Sequence, residues 1–509
     1  MGLLSRRDFL KLAVLAPLAG FAQPLLQFSR TGQSFENPNV IILVFDAWSA
    51  DHVPLYGYPR DTMPNLTRFA ERALVYHNHY SAGTFTAPGA ASLLTGLYPW
   101  THRAFHIRSG IASEHINQQL FSALRPSRST LAYSQNVYAD KFLYQMDEFI
   151  DRHIRSSAFN IQNQTVYNLP IFQKDGEIAF TAFEENIFHK ASDHDASLFL
   201  GPLFRTFSRY HRYLLASIYQ DKYPKGLPDS TELFLLEDLV DGAIENIKEQ
   251  SDPYLAYLHF FPPHWPYRSK AGFFKKFRDG WSPDVAAPHP LVGASYDDGS
   301  LLSAREKYDE YLASWDDEIG RLFNYLEDSG TLDRSIVIIT ADHGEMFERG
   351  VSGHTTPLIY NPLVHVPLVI SIPDQAVRVD IHTNTSCIDI LPTLAHLTGN
   401  PIPDWGEGEL LPGLGGKEND QRAIYVLDAK QNSAFSALSH YSISLTRDRY
   451  RLTHYNYPAY QGFEFYDLEA DPGELQDLYP AEPGIAFEMQ QELADKISDV
   501  NRPYLGAER

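Results

Sequence analysis

Unbroken apolar runs alternate with helical stripes along this chain. Val40 to Phe45 (VIILVF) predicts a strand buried on both faces and closed by Asp46. Ser335 to Thr340 (SIVIIT) has the same character and runs through Ala341 into Asp342, His343, Gly344 and Glu345. Tyr254 to Phe261 (YLAYLHFF) predicts a third strand, stopped by Pro262 and Pro263, so that His264 sits in a rigid loop before Trp265 and Pro266. Val366 to Ile372 predicts a fourth, after the loop Gly353-His354-Thr355-Thr356. Between these runs, Arg305 to Glu327 spaces Tyr308, Tyr311, Leu312, Trp315, Ile319, Leu322 and Phe323 as one face of a helix. The alternation predicts an α/β fold: a large, mostly parallel sheet flanked by helices. Ligands of such sheets bind outside the carboxyl ends of the strands, where Asp46, Asp342, His343 and His264 fall.

The last hundred residues change pattern. Tyr441 to Thr446, Arg449 to Tyr455 and Phe463 to Leu468 read as strands around the turn Arg447-Asp448, and Ala486 to Val500 as a helix. This is a small C-terminal antiparallel sheet plus helix. The expected organisation is an α/β domain over residues 36–400 and an α+β subdomain over 401–509. An insertion at about 150–250 carries Phe183, Phe188, Phe199, Phe204, Phe207, Tyr210, Tyr213 and Tyr219 with Arg205, Arg209 and Arg212. It reads either as a cap over the site or as a helical packing layer.

Composition narrows the chemistry. Of 509 residues, 42 are Lys or Arg and 64 are Asp or Glu; the net charge of −22 opposes phosphate-backbone binding, so no nucleic acid is expected as partner. The single cysteine, Cys387, excludes an intrachain disulfide framework and a CxxC site; it reads as a small buried apolar residue. Any metal must therefore sit on oxygen and imidazole.

Residues 1–22 open with Ser5-Arg6-Arg7-Asp8-Phe9-Leu10-Lys11, then the apolar Leu12 to Ala22, a run too short to span a bilayer comfortably. The order resembles the twin-arginine signal, which implies the twin-arginine export machinery as partner and a periplasmic or extracellular location. An uncleaved segment would instead anchor the chain to the membrane.

Thr84 to Gly96 (TFTAPGAASLLTG) predicts a helix capped by Thr86, with proline in its first turn and Gly96 at its end. Its free N–H groups would face an anion, with Gly89, Ala90 and Ala91 allowing close approach.

From about Pro38 to Leu478 the motifs resemble, in order, those of the sulfatase family of the alkaline phosphatase superfamily. Pro38-Asn39-Val40-Ile41-Ile42 with Asp46 is similar to the opening strand and its metal aspartate. Thr86-Ala87-Pro88 with Leu93-Leu94-Thr95-Gly96 is similar to the nucleophile helix. Asp342-His343-Gly344-Glu345 resembles the second metal motif, His354 with Tyr360 the histidine loop, and Phe465-Tyr466-Asp467-Leu468 with Asp471-Pro472-Gly473-Glu474 the C-terminal signature. Three departures stand out. Thr86 occupies the position matured to formylglycine, so no formylglycine is expected; Ala90 replaces the motif arginine; and Ala47 replaces the second aspartate of a pair.

A threonine hydroxyl needs a metal or a base to lower its pKa, so Thr86 is expected to share one divalent metal ion with Asp46, Asp342 and His343. That mixed donor set suits Mn²⁺ or Zn²⁺, whereas the resemblance implies Ca²⁺ or Mg²⁺. His264 and His354, at family positions, are expected to protonate the leaving group and bind the nonbridging oxygens, with His102 a further catalytic candidate. The leading expectation is a metal-dependent hydrolase of phosphate or phosphonate mono- or diesters, with a small-molecule, glycan or lipid ester as substrate. A sulfuric ester hydrolase, a phospho-headgroup transferase and a catalytically silent binding protein are the alternatives.

Overall fold

The computed structural model describes residues 35–107, 109–125, 128–161, 206, 210, 212–230, 233–479 and 483–505. Among them the main sheet has eight strands: β1 (Asn39–Asp46), β2 (Leu74–Tyr76), β3 (Ser129–Ser134), β4 (Arg152–Ile154), β5 (Tyr254–Pro263), β6 (Ser335–Ala341), β7 (Leu368–Ser371) and β8 (Val379–Ile381). Their order is β8-β2-β7-β6-β1-β5-β3-β4, with β1 parallel to both of its neighbours, β5 and β6. β7 alone runs against the rest. The run Val366 to Ile372 is thus a strand whose carboxyl end points away from the other strand ends. In this antiparallel pair Leu368, at the start of β7, lies opposite Thr340, beside the end of β6.

Alternation along β1 divides the core. Val40, Ile42 and Val44 face one hydrophobic cluster, shared with α1 (Thr86–Thr95), α2 (Val137–Gln145), α5 (Ile390–Leu397) and α6 (Pro483–Asn501). Ile41, Leu43 and Phe45 face the other, shared with α3 (Leu236–Lys248) and the 31-residue α4 (Asp298–Asp328). Trp315 of α4, fully buried, lies 5.4 Å from the rings of both Phe45 and Phe260 and pins the helix over β1 and β5. Burying one such side chain is worth roughly 1.5–3 kcal/mol. The stripe from Arg305 to Glu327 is therefore the core-facing part of a longer helix.

Among the described residues the C-terminal antiparallel sheet has four strands, one more than expected: β9 (Ile424–Asp428), β10 (Tyr441–Arg447), β11 (Tyr450–Tyr457) and β12 (Tyr460–Asp467). Leu427, Ile443, Leu445 and Phe465 join the α1 side of the core. Leu427 N–H donates to Ala82 O at 3.0 Å and Thr84 Oγ1 to Asp428 at 2.8 Å, so this sheet grips the loop leading into α1.

Residues 1–22, and Phe183, Phe188, Phe199, Phe204, Phe207, Arg205 and Arg209 of the insertion, lie outside the described residues. Tyr219 packs against the α4 side of the core and Arg212 pairs with Asp229. Cys387 is buried. No described helix is long and apolar enough to cross a membrane.

Candidate active site

Strand parity assembles the site. On β1, residues 40, 42 and 44 face α1, so Asp46 follows on that side; on β6, Ile336 and Ile338 do the same and Asp342 follows. A register shift between Phe45 and Asp46 lets Asp46 pair with Pro263, and β5 runs through both prolines before releasing His264, two residues further than expected. Ala47, the residue after Asp46, adopts φ +60° and donates its N–H to Asp342 Oδ1 at 3.3 Å. This left-handed turn carries strain for a non-glycine residue.

α1 docks on the same point. Thr86 is its first residue rather than its cap, which is Phe85. Helix entry therefore leaves the Thr86 hydroxyl out of capping. Gly89, expected to admit a ligand, instead admits the protein: a Cβ there would lie 2.0 Å from Asp342 O. Ser81 Oγ holds the same carbonyl at 2.5 Å. Ala90 and Ala91 are packed in the core beside it.

The result is a compact polar cluster. Ligating atoms of Asp46, Asp342 and His343 all lie within 4.8 Å of one another. His343 Nδ1 donates to Gly344 O at 2.8 Å, turning Nε2 toward Asp46 Oδ1 at 3.4 Å and Asp342 Oδ2 at 3.6 Å. Thr86 Oγ1 is 3.3 Å from that Nε2 and accepts from Asn136 Nδ2 at 3.1 Å. Asn136 also donates to Asp46 Oδ2 at 2.5 Å.

Two further residues escaped the sequence reading. Asn136 lies two residues beyond β3, whose polar residues (STLAYS) hid it as a strand, and caps α2 through Tyr138 N–H. His259 interrupts the apolar run of β5, and that interruption was its signal. By parity with Leu255 and Tyr257 it faces the α1 side, where Nε2 lies 3.7 Å from Asp46 Oδ2 and 3.7 Å from Asp342 Oδ2.

Charge in this cluster is unbalanced. Burial and the Asp46 carboxylate raise the Asp342 pKa; burial would raise Asp46 as well, yet His264 and His343 hold it below the usual range. The two carboxylates together lift His343 to about 9 against its burial. Asp46 Oδ1, Asp342 Oδ2 and His259 Nε2 are buried without a hydrogen-bond partner. Burying such atoms is costly, and a cation among them would satisfy all three. The residues present thus fit a divalent ion.

His354 extends the cluster outward. Its Nδ1 lies 3.1 Å from Glu345 Oε1, and its ring is 4.4 Å from His343 and 4.9 Å from His264. Burial lowers the pKa of both His354 and His264 and lifts Glu345 to about 7. His264 Nδ1 donates to Trp265 O at 2.6 Å. Thr86, Asn136, His264 and His354 line one cavity of about 330 Å³, together with Phe85, Ile107, Val137, Tyr138, Phe261 and Lys430. Lys430, in the turn after β9, is tied to Asp428 at 2.9 Å and to Thr356 O at 2.6 Å.

His102 does not join this cavity. Its Nε2 meets Ser92 Oγ at 2.9 Å and its Nδ1 accepts from Ala104 N–H at 3.0 Å, while burial depresses its pKa to about 3. It is a neutral, fully engaged histidine that fixes α1 to the following loop.

The Sulfatase family model matches residues 38–400, most of the chain, and a C-terminal N-sulphoglucosamine sulphohydrolase model matches residues 354–502. The chain belongs to the sulfatase family. It is an ester-bond hydrolase of that family, whose enzymes bind a divalent metal ion. Its relatives include the multifunctional alkaline phosphatase superfamily protein PehA of Trinickia caryophylli, 26% identical over 86% of this chain and 91% of that protein. The choline-sulfatase of Rhizobium meliloti is 22% identical over 87% of this chain and 82% of its own length. The crystal structure of a phosphonate monoester hydrolase of Agrobacterium radiobacter shares the fold, with TM-score 0.64 and 19% identity over 92% of this chain and 96% of that one.

Proposed function

We propose that this sulfatase-family hydrolase cleaves phosphate or phosphonate mono- or diesters through Thr86 as nucleophile. The observation that carries the reading is the Thr86 hydroxyl itself. It lies at the edge of the Asp46, Asp342 and His343 cluster, accepts from Asn136 at 3.1 Å, and borders a cavity large enough for an organic ester. A divalent ion bound by Asp46, Asp342, His343 and Thr86 would supply charge neutralisation at the phosphoryl oxygens and a lower pKa for the hydroxyl.

The remaining chemistry belongs to the chain. Asn136 orients Thr86 Oγ by donating to it; the hydroxyl gives up its proton to solvent water before attack, and the alkoxide oxygen so formed attacks phosphorus, the P–O bond to the alcohol breaking as the P–Oγ bond forms. His264 hydrogen-bonds Trp265 O through Nδ1, so Nε2 is the atom that exchanges a proton across the cavity. As imidazolium it gives that proton to the departing alkoxide. The neutral ring then takes a proton from the water that cleaves phosphothreonine, which restores the imidazolium and releases Thr86 as the alkoxide for the next cycle. His354, oriented by Glu345, is placed to donate to a nonbridging oxygen. Phosphorus is favoured over sulfur because a formylglycine hydrate can expel sulfate with its second hydroxyl, and threonine has none.

The apolar residues beside Thr86 suit an organic ester group, in keeping with relatives named an ulvan-active sulfatase and a choline-sulfatase. The Ser5-Arg6-Arg7-Asp8-Phe9-Leu10-Lys11 order supports export by the twin-arginine route to the periplasm or beyond.

The test is turnover of aryl phosphate mono- and diesters, an aryl phosphonate and an aryl sulfate by the wild type and Thr86→Ala, each with added Mn²⁺, Zn²⁺, Mg²⁺ or Ca²⁺. A phosphorus ester should turn over and lose at least about 10³-fold in kcat/KM with Thr86→Ala. Preference for the sulfate, or full activity in Thr86→Ala, refutes the assignment.

A further inference from the structure

Resting on the metal-binding part of that reading, we propose that His259 is a direct ligand of the bound ion. The donor set then comprises two carboxylates, two imidazoles and the Thr86 hydroxyl, and it selects a first-row transition ion such as Mn²⁺ or Zn²⁺ over Ca²⁺ and Mg²⁺.

Four observations lead there. His259 is completely buried, and its Nε2 has no hydrogen-bond partner. That nitrogen lies 3.7 Å from Asp46 Oδ2 and 3.7 Å from Asp342 Oδ2, nearly the spacing by which His343 Nε2 flanks the same two side chains at 3.4 and 3.6 Å. Donor atoms held at about 2.0–2.2 Å from one ion stand roughly 3–4 Å apart, so these distances suit ligands of a common ion and are too long for hydrogen bonds. The other ring nitrogen, Nδ1, lies 3.3 Å from the Tyr257 hydroxyl, an outer partner that fixes the orientation of the ring.

The fourth observation is the backbone after β1. Ala47 stands where the family pattern has a second aspartate, so one oxygen donor is missing from that side. Its N–H is used to hold Asp342 Oδ1 instead. His259, reached from the neighbouring strand β5, puts a nitrogen among the same carboxylates. Exchanging a carboxylate for an imidazole lowers the negative charge of the set and softens it. Both changes disfavour hard cations that demand oxygen, Ca²⁺ and Mg²⁺, and favour ions that accept nitrogen.

The experiment loads the full chain with Mn²⁺ and counts coupled ¹⁴N nuclei by pulsed electron paramagnetic resonance, beside competition titrations against a fluorescent chelator. The wild type should show two directly coordinated nitrogens and His259→Ala one, with Mn²⁺ and Zn²⁺ affinity lowered about 10–100-fold and Mg²⁺ affinity changed by less than about threefold. Because the wild-type nitrogen count needs no variant, a misfolded substitution leaves the test intact, and His259→Gln serves as the milder replacement. One coordinated nitrogen in the wild type, unchanged Mn²⁺ affinity in His259→Ala, or a wild type that prefers Ca²⁺ or Mg²⁺ would each overturn the proposal. Two nitrogens in a protein that turns over no phosphorus ester would uphold it while removing Thr86 chemistry.

Discussion

Asn136 offers the sharpest perturbation, because one amide performs three separable tasks. Its Oδ1 caps α2 by accepting from Tyr138 N–H at 2.9 Å, and its Nδ2 donates both to Asp46 Oδ2 at 2.5 Å and to Thr86 Oγ1 at 3.1 Å. Asn136→Ala loses the cap, worth about 1 kcal/mol, and a hydrogen bond to a buried carboxylate, worth about 1.5–3 kcal/mol. Unfolding free energy should therefore fall by about 2.5–4 kcal/mol in urea titrations extrapolated to zero denaturant. Asn136→Ser restores the cap acceptor without the amide donor and should recover about 1 kcal/mol of that loss. Activity follows the donor alone. Without it the Thr86 hydroxyl is free to rotate, so both variants should lose about 10²–10³-fold in kcat/KM on the best ester substrate, carried mainly by kcat. If Asn136→Ala is destabilised by only the capping energy and stays within about threefold of wild-type kcat/KM, the Nδ2 contacts contribute nothing and the account of Thr86 orientation is wrong.

Gly89→Ala places a methyl 2.0 Å from the Asp342 carbonyl, and backbone cannot yield; a loss of about 1–3 kcal/mol by calorimetry is expected, with activity falling as α1 moves, whereas an unchanged Tm would refute the close packing. Arg451 and Glu474 form a fully buried pair at 3.0 Å, so Glu474→Ala should cost about 3–5 kcal/mol and the double change Arg451→Met with Glu474→Leu should recover most of it; an additive loss in the double variant would deny their coupling. Burial works against charge on His153, but Asp140 at 2.9 Å and Asp147 at 3.1 Å outweigh it and raise its pKa. Stability from this group is complete below its unfolded pKa of about 6.5 and disappears as pH rises through the higher folded value. His153→Gln should accordingly destabilise at about pH 5.5 and be nearly neutral at about pH 9, and a loss independent of pH would contradict the pairing.

What could be read before the chain folded was whatever depends on local pattern. Val40 to Phe45 and Ser335 to Thr340 are apolar at every step because both faces of a central strand are covered, and that property is written in consecutive residues. The same runs end in Asp46 and Asp342, and the family motifs mark Thr86, His264 and His354, so the parts of the site that lie on strong strands or in dense motifs were legible. The reversed direction of β7 was not, since a four-residue strand carries the same apolar signature in either sense. His102 shows the opposite failure: nothing local distinguishes a catalytic imidazole from one spent on Ser92 and a backbone N–H.

Asn136 and His259 belong wholly to the tertiary structure. Each stands one strand or more from Asp46 in sheet order and 90 or more residues away along the chain, so only pairing β1 with β5, and β5 with β3, brings their polar atoms to the same carboxylates. Gly89 makes the same point for the backbone, because its missing Cβ has meaning only once α1 lies against the end of β6. Local sequence sets which residues are strand, helix and turn through short-range sterics and periodicity. Which side chains share one buried charge cluster is set by strand order and parity, and those follow from how the sheet as a whole covers its two faces.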